Sequence, residues 1–157
     1  MDLLGLRNLT IIEETLRLIK NIRNEEVDIN ELPLDDQDTF KFLQTGETTG
    51  VFQFESAGMR RYMKELSPTA LEDLVALGAL YRPGPIELIP SFINRKHGKE
   101  KITYLHPKLE PILKSTYGVG VYQEQMMRIA RDLAGFTLPE SDILRKATGN
   151  SDGLVIL

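Results

Sequence analysis

Glycine and proline cut this sequence into short pieces. Its 157 residues hold 12 Gly and 8 Pro, and between them apolar residues recur mostly at helical spacing. A chain so interrupted cannot run into long helices, but it can assemble many short ones. Pro83 and Pro85 in the segment YRPGP cannot continue a helical ladder. Gly46, Gly135 and Gly149 stand where apolar stripes end, the common place for a helix-terminating glycine. The fold class expected is mostly α, many short helices with one or two short strands.

Thr10 and Glu13 have capping-box spacing, and Ile12, Leu16, Ile19 and Ile22 continue one helical stripe. The acidic run NEEVDINELPLDD lacks a stripe, contains Pro33 and reads as a loop. Asp35 or Asp36 can cap a short helix through Phe40 and Leu43. GVFQFES reads as a short strand or an extended entry to a helix from Ser56 to Leu66. Ser67 is expected to cap the next helix, with Pro68 at its first position and Leu71, Leu74, Val75 and Leu77 following. A helix over 86–95 leads into RKHGKEK, and His106 and Pro107 open another through Leu109 and Leu113. Tyr117 to Val121 is a turn or short strand; helices follow over 123–133 and 139–147.

A compact chain of this length buries about 70% of its unfolded surface, enough for one core. There is no Cys, which excludes disulfides and thiolate metal sites and fits a reducing cytoplasm. No apolar run reaches about 18 residues, so no membrane span is expected, and no secretory signal pattern opens the chain. The net charge is −4. Nucleic-acid binding would therefore have to rest on local basic clusters, since such domains are more often basic overall.

Three basic groups stand out. Arg60 and Arg61 fit a solvated helix face. Arg95, Lys96, Lys99 and Lys101 surround His97 and Gly98, a density suited to phosphate contact or simply to solubility. Arg145 and Lys146 close the last helix, where cations also complement the dipole. Among the acids, Asp35 and Asp36 fit a cap, Glu124 a first-turn helix acid, and Asp2 sits against an apolar run. Two His are too few for a His-based metal site without acids, and no nucleophile elbow or phosphate-binding glycine loop is present.

Together the segments MDLLGLRNLTII, LDDQDTFKFLQTGETTGVFQFESAGMRRYMKEL, LEDLVALGALYRPGP, FINRKHGKEKITYLHPKLEPILKSTYG and VYQEQMMRIARDLAGFTLPESDILRKA resemble the C-family polymerases, the alpha subunits of bacterial DNA polymerase III. The resemblance covers roughly residues 1–149. It implies a piece of a DNA-directed DNA polymerase: 1–22 the end of the palm, 23–149 the N-terminal part of the fingers, and 150–157 an atypical, disordered tail. Asp2 matches one of three palm aspartates, and is thereby the catalytic and metal candidate. Such enzymes add nucleotides with two metal ions about 4 Å apart, here Mg²⁺. The other two aspartates lie upstream of the matched one in the family, so this chain alone is expected to be inactive.

The resemblance also makes Arg145 and Lys146 the match for two family cations that contact the triphosphate, with Arg82 a weaker nucleotide candidate. Arg95, Lys96, Lys99 and Lys101 become the DNA-binding candidates. The implied partners are primer-template DNA, deoxynucleoside triphosphates and other replisome subunits, in the cytoplasm and away from membranes. Gly120 stands where the family has a bulky aliphatic, and NSDGLVIL replaces a lysine-containing continuation, as a truncation or altered reading frame would. The rival reading is a stand-alone helical interaction module that binds a replication partner.

Overall fold

The computed structural model describes residues 7–149. The chain divides into two compact units, Met1–Asp36 and Gln37–Leu157. In the first, helix α1 spans Arg7–Arg23 and buries none of its side chains. Residues 7–10 are already helical, so Thr10 lies inside the helix rather than capping it. Asn24, in a left-handed conformation, ends it. The acidic loop that follows contains one 3₁₀ turn, Ile29–Glu31, where the Asp28 carboxylate accepts the Asn30 amide.

The second unit is built from α2 (Gln37–Gln44), α3 (Ala57–Leu66), α4 (Leu71–Leu80), α5 (Ile89–Lys96), α6 (Glu110–Leu113), α7 (Gln123–Ala134) and α8 (Leu138–Gly149). Short 3₁₀ turns precede α5 and flank α6. Met63, Leu66, Leu77, Leu80, Ile89 and Phe92 are almost wholly buried and form the centre of the core. Their spacing explains the helices: Met59, Met63 and Leu66 share one face of α3, as Ala76, Leu77 and Leu80 do on α4. Phe92 meets Tyr117 edge to face, with ring centroids 5.2 Å apart. Leu109, Ile112 and Leu113 form a smaller cluster.

Two expectations are corrected. No strand forms among the described residues. Residues 48–54 instead make two successive turns, Thr48 to Val51 and Val51 to Phe54, forced by left-handed Gly50 and Gln53. Residues 117–119 turn in the same way through left-handed Tyr117 and Gly118. Second, Ser67 does not open α4. It ends α3 in a left-handed conformation, its amide bonded to the Met63 carbonyl, and α4 begins only at Leu71. The physical reason is an acid further along: Asp73 accepts the amides of Thr69 and Ala70 at 2.9 and 3.3 Å, which fixes the helix start there.

Gly46, at φ +65°, has no room for a side chain: a Cβ would lie 2.8 Å from the Arg60 carbonyl. Its own carbonyl accepts Arg60 Nε at 2.7 Å, tying α2 to α3. Buried Gln125 plays the same part for α7. Its amide oxygen accepts the amides of Val121 and Tyr122, and its nitrogen donates to Thr116 Oγ1 and the Ile112 carbonyl. No helix among the described residues is long and apolar enough to cross a membrane.

Leu77→Ala should cost about 2–5 kcal/mol in urea denaturation, because Leu77 is fully buried. Leu105→Ala, at a side chain 94% exposed, should stay within about 0.5 kcal/mol.

Candidate nucleotide and DNA interface

The basic loop after α5 is held by a buried ion pair. Lys96, on the last turn of α5, has its ammonium 2.7 Å from Asp73 Oδ2, with side chains only 8% and 5% exposed. The same ammonium donates to the carbonyls of Ser67 at 2.9 Å and Leu66 at 3.3 Å. Its three protons are thus used. The Tyr117 hydroxyl donates to Asp73 Oδ1 at 3.3 Å. One carboxylate therefore joins the start of α4, the end of α5 and the turn at 117. Burial works to raise the Asp73 pKa, but the Lys96 ammonium and the Thr69 and Ala70 amides outweigh it and hold it low. Burial, reinforced by the Asp73 charge, pushes the Tyr117 phenol up to about 12.

Beyond this anchor the loop turns outward. Left-handed Gly98 lets the amides of Lys99 and Glu100 both reach the Asn94 carbonyl, at 2.8 and 3.2 Å. His97 Nε2 lies 3.0 Å from the Glu65 carbonyl. Lys99 and Lys101 are exposed. Arg95 is only 20% exposed, and its Nε donates to Glu100 Oε1 at 2.7 Å. Ser91 Oγ donates to the same oxygen at 2.7 Å. These donors, Ser91 first and Arg95 second, hold the Glu100 carboxyl below its usual range. The four cations expected to act as one patch are therefore divided: Lys99 and Lys101 face solvent, Arg95 is paired, and Lys96 is turned inward.

Arg145 and Lys146 lie near the end of α8, which packs on α7. A capping box starts α8: the Thr137 amide and hydroxyl both donate to Glu140 Oε2, at 2.8 and 2.7 Å. Ser141, fully buried, donates to the Leu138 carbonyl. Asp142 then accepts both cations, Arg145 Nη2 at 2.9 Å and Lys146 Nζ at 2.9 Å. Lys146 first, then Arg145, lowers its pKa. Arg82 is exposed at the turn after α4, its amide bonded to the Leu80 carbonyl at 2.8 Å. Asp2 and the tail 150–157 lie outside the described residues.

Sequence reasoning passed over Asp73, Tyr117, Ser91, Glu100 and Asp142. Two of these carried a signal. Asp73 stands three residues after Ala70, the spacing of an acid reaching back to a helix start. Asp142 precedes Lys146 by four, the favourable ion-pair spacing on a helix. Among the described residues no three His, Asp or Glu side chains are grouped to hold a metal ion.

The described residues thus form a helical module with no metal cluster, whose candidate chemistry is carried by displayed and carboxylate-held cations. The chain belongs to the family of bacterial DNA polymerase III alpha subunit finger domains, whose model matches residues 8–155. It is 54% identical over 153 residues to the DNA polymerase III subunit alpha of Halalkalibacterium halodurans, covering 98% of this chain and 14% of that protein. It is 51% identical over 156 residues to the DNA polymerase III subunit alpha of Staphylococcus aureus, covering 99% of this chain and 15% of that one. The chain therefore spans about one-seventh of the length of these relatives.

Lys96→Met should destabilise the chain by about 3–5 kcal/mol in urea, because it leaves a buried carboxylate without its cation. Asp73 has a lowered folded pKa, so its contribution is present above the unfolded pKa and lost as pH falls through the folded one. Stability measured from about pH 5 to pH 2 should fall less steeply in Asp73→Asn than in the parent chain. In an ultraviolet titration of the tyrosines, Tyr117→Phe should remove amplitude only at the top of the curve, near pH 12.

Proposed function

We propose that this chain is the fingers-side portion of a replicative DNA polymerase, acting in template-directed nucleotidyl transfer to a primer end. The observation that carries this reading is the family match over nearly the whole chain. The incoming deoxynucleoside triphosphate is bound by Arg145 and Lys146, with Arg82 as an auxiliary cation. Arg145 offers a planar fork for two phosphate oxygens, while Lys146 offers a point charge. Asp142 holds both cations in place before the triphosphate arrives, and surrenders them to it. Lys99 and Lys101 neutralise phosphates of the primer-template DNA. Lys96 serves that contact indirectly, by fixing the base of the loop to Asp73.

The whole polymerase works with Mg²⁺, which supplies charge stabilisation at the transferring phosphate. In this reading Asp2 contributes one of its carboxylates. The remaining partners are the other replisome subunits, and the compartment is the cytoplasm.

The test is a titration with labelled nucleotide and with primer-template, at low and moderate salt. Arg145→Ala with Lys146→Ala should weaken binding several-fold more than Arg17→Ala with Lys20→Ala. The second pair removes the same charge from α1, where Arg17 is paired with Glu14 and Lys20 with Glu26. Equal losses would mean that net charge alone governs binding, and would remove Arg145 and Lys146 from the site. Binding should also weaken as salt rises, since it rests on phosphate neutralisation.

A further inference from the structure

We infer that Ser91 and Arg95 form a binding site for a phosphate group that Glu100 occupies from within the chain. The carboxylate and an arriving phosphate then compete for the same two donors. The inference rests on the reading of the 97–101 loop as DNA-facing, and it adds how that surface is opened.

The two donors stand on α5 at i and i+4, on one face of the helix. A single oxygen, Glu100 Oε1, takes a hydrogen bond from each, both at 2.7 Å. The donors belong to a helix packed into the core through Ile89, Phe92 and Ile93. The acceptor belongs to the loop that follows. If the loop shifts, the donors stay where they are. The arrangement is an anion site already holding an anion.

Its surroundings suit exchange. The side chains of Arg95 and Glu100 are 20% and 37% exposed, so a ligand can reach them. Arg95 commits its Nε to Glu100, which leaves the terminal nitrogens of its fork for a second oxygen. Phosphate can supply that oxygen in the bidentate geometry that guanidinium favours. A cleft of about 100 Å³ adjoins the pair, lined by Leu88, Leu113, Val119 and Met126 with Ser91 and Arg95. Gly118, also in the lining, presents bare backbone beside Arg95: a Cβ there would stand 3.3 Å from Arg95 Nη1. The apolar lining reduces screening by water and strengthens a charge contact there.

The charges on the loop favour the exchange as well. Lys99 and Lys101 flank Glu100 in sequence and are exposed. Lys96 is used by Asp73. With Glu100 in place the Arg95 charge is cancelled; with Glu100 displaced, that charge is released within the same stretch of sequence as the two lysines. A partly exposed pair of this kind contributes little to stability, so giving it up costs little.

The experiment measures the affinity of the full chain for inorganic phosphate and for a fluorescein-labelled single-stranded oligonucleotide, at low salt. Glu100→Gln should tighten both roughly tenfold, the size of one charge-assisted contact. Glu47→Gln, the same charge change at an exposed residue elsewhere in the unit, should change them less than about twofold. Adding Arg95→Ala to Glu100→Gln should abolish the gain, and adding Ser91→Ala should reduce it.

A gain for Glu100→Gln no larger than for Glu47→Gln overturns the proposal, as does a gain that survives Arg95→Ala. Salt-sensitive oligonucleotide binding with no gain for either ligand in Glu100→Gln sinks the competition and leaves the DNA-facing reading intact. A gain for phosphate alone supports the site and removes DNA as its ligand. The unmutated chain gives a check that does not depend on variant folding. Its Arg95 Nε–H resonance should shift and saturate with inorganic phosphate; no shift overturns the site.

Discussion

The buried pair of Lys96 and Asp73 is the constraint on which the second unit depends. Neither charge can be left alone in the interior. Each is therefore surrounded by polar groups that also have structural work: the carbonyls of Leu66 and Ser67 where α3 ends, the amides of Thr69 and Ala70 just before α4, and the Tyr117 hydroxyl. A buried ion pair is not by itself a large source of stability. Its effect here is geometric. It fixes where α3 stops, where α4 starts and how α5 ends, and so it sets the root of the loop that carries Lys99 and Lys101.

The same economy recurs at the surface. Arg95 is held by Glu100, and Arg145 and Lys146 are held by Asp142. Arg82, Lys99 and Lys101 are displayed on turns and loops. Most of these cations sit at helix ends or just past them, where a short-helix architecture presents many chain reversals. The glycines and prolines that cut the chain into pieces thus also provide the places where these cations stand.

Much of the fold is legible in the sequence where a local rule and the core agree. The helix expected from Ser56 to Leu66 forms over Ala57–Leu66 with Ser56 as its cap, and the helix expected over 123–133 runs to the stop at Gly135. Legibility fails where a distant group decides. Ser67 followed by Pro68 has the form of a helix start, but Asp73 and Lys96 capture the backbone on either side of it and move the start to Leu71. The segment GVFQFES alternates like a strand, but no partner strand exists among the described residues, and left-handed Gly50 and Gln53 coil it into turns. At the candidate site, sequence identifies the cations by type and by family resemblance. It cannot show that Lys96 is turned inward while Lys99 faces out, because that depends on an acid 23 residues away.

The central claim is that one carboxylate organises three separate segments. Native-state hydrogen exchange in Asp73→Asn, under conditions where the chain stays folded, tests it most directly. The amides of Thr69 and Ala70 bond to Asp73 itself, those of Lys99 and Glu100 to the Asn94 carbonyl, and that of Gly118 to the Leu113 carbonyl. The account predicts that protection falls at all three places together, since the Lys96 and Tyr117 anchors fail with the carboxylate. Loss confined to Thr69 and Ala70, with Lys99, Glu100 and Gly118 unchanged, would show that Asp73 only caps α4, and would contradict the account.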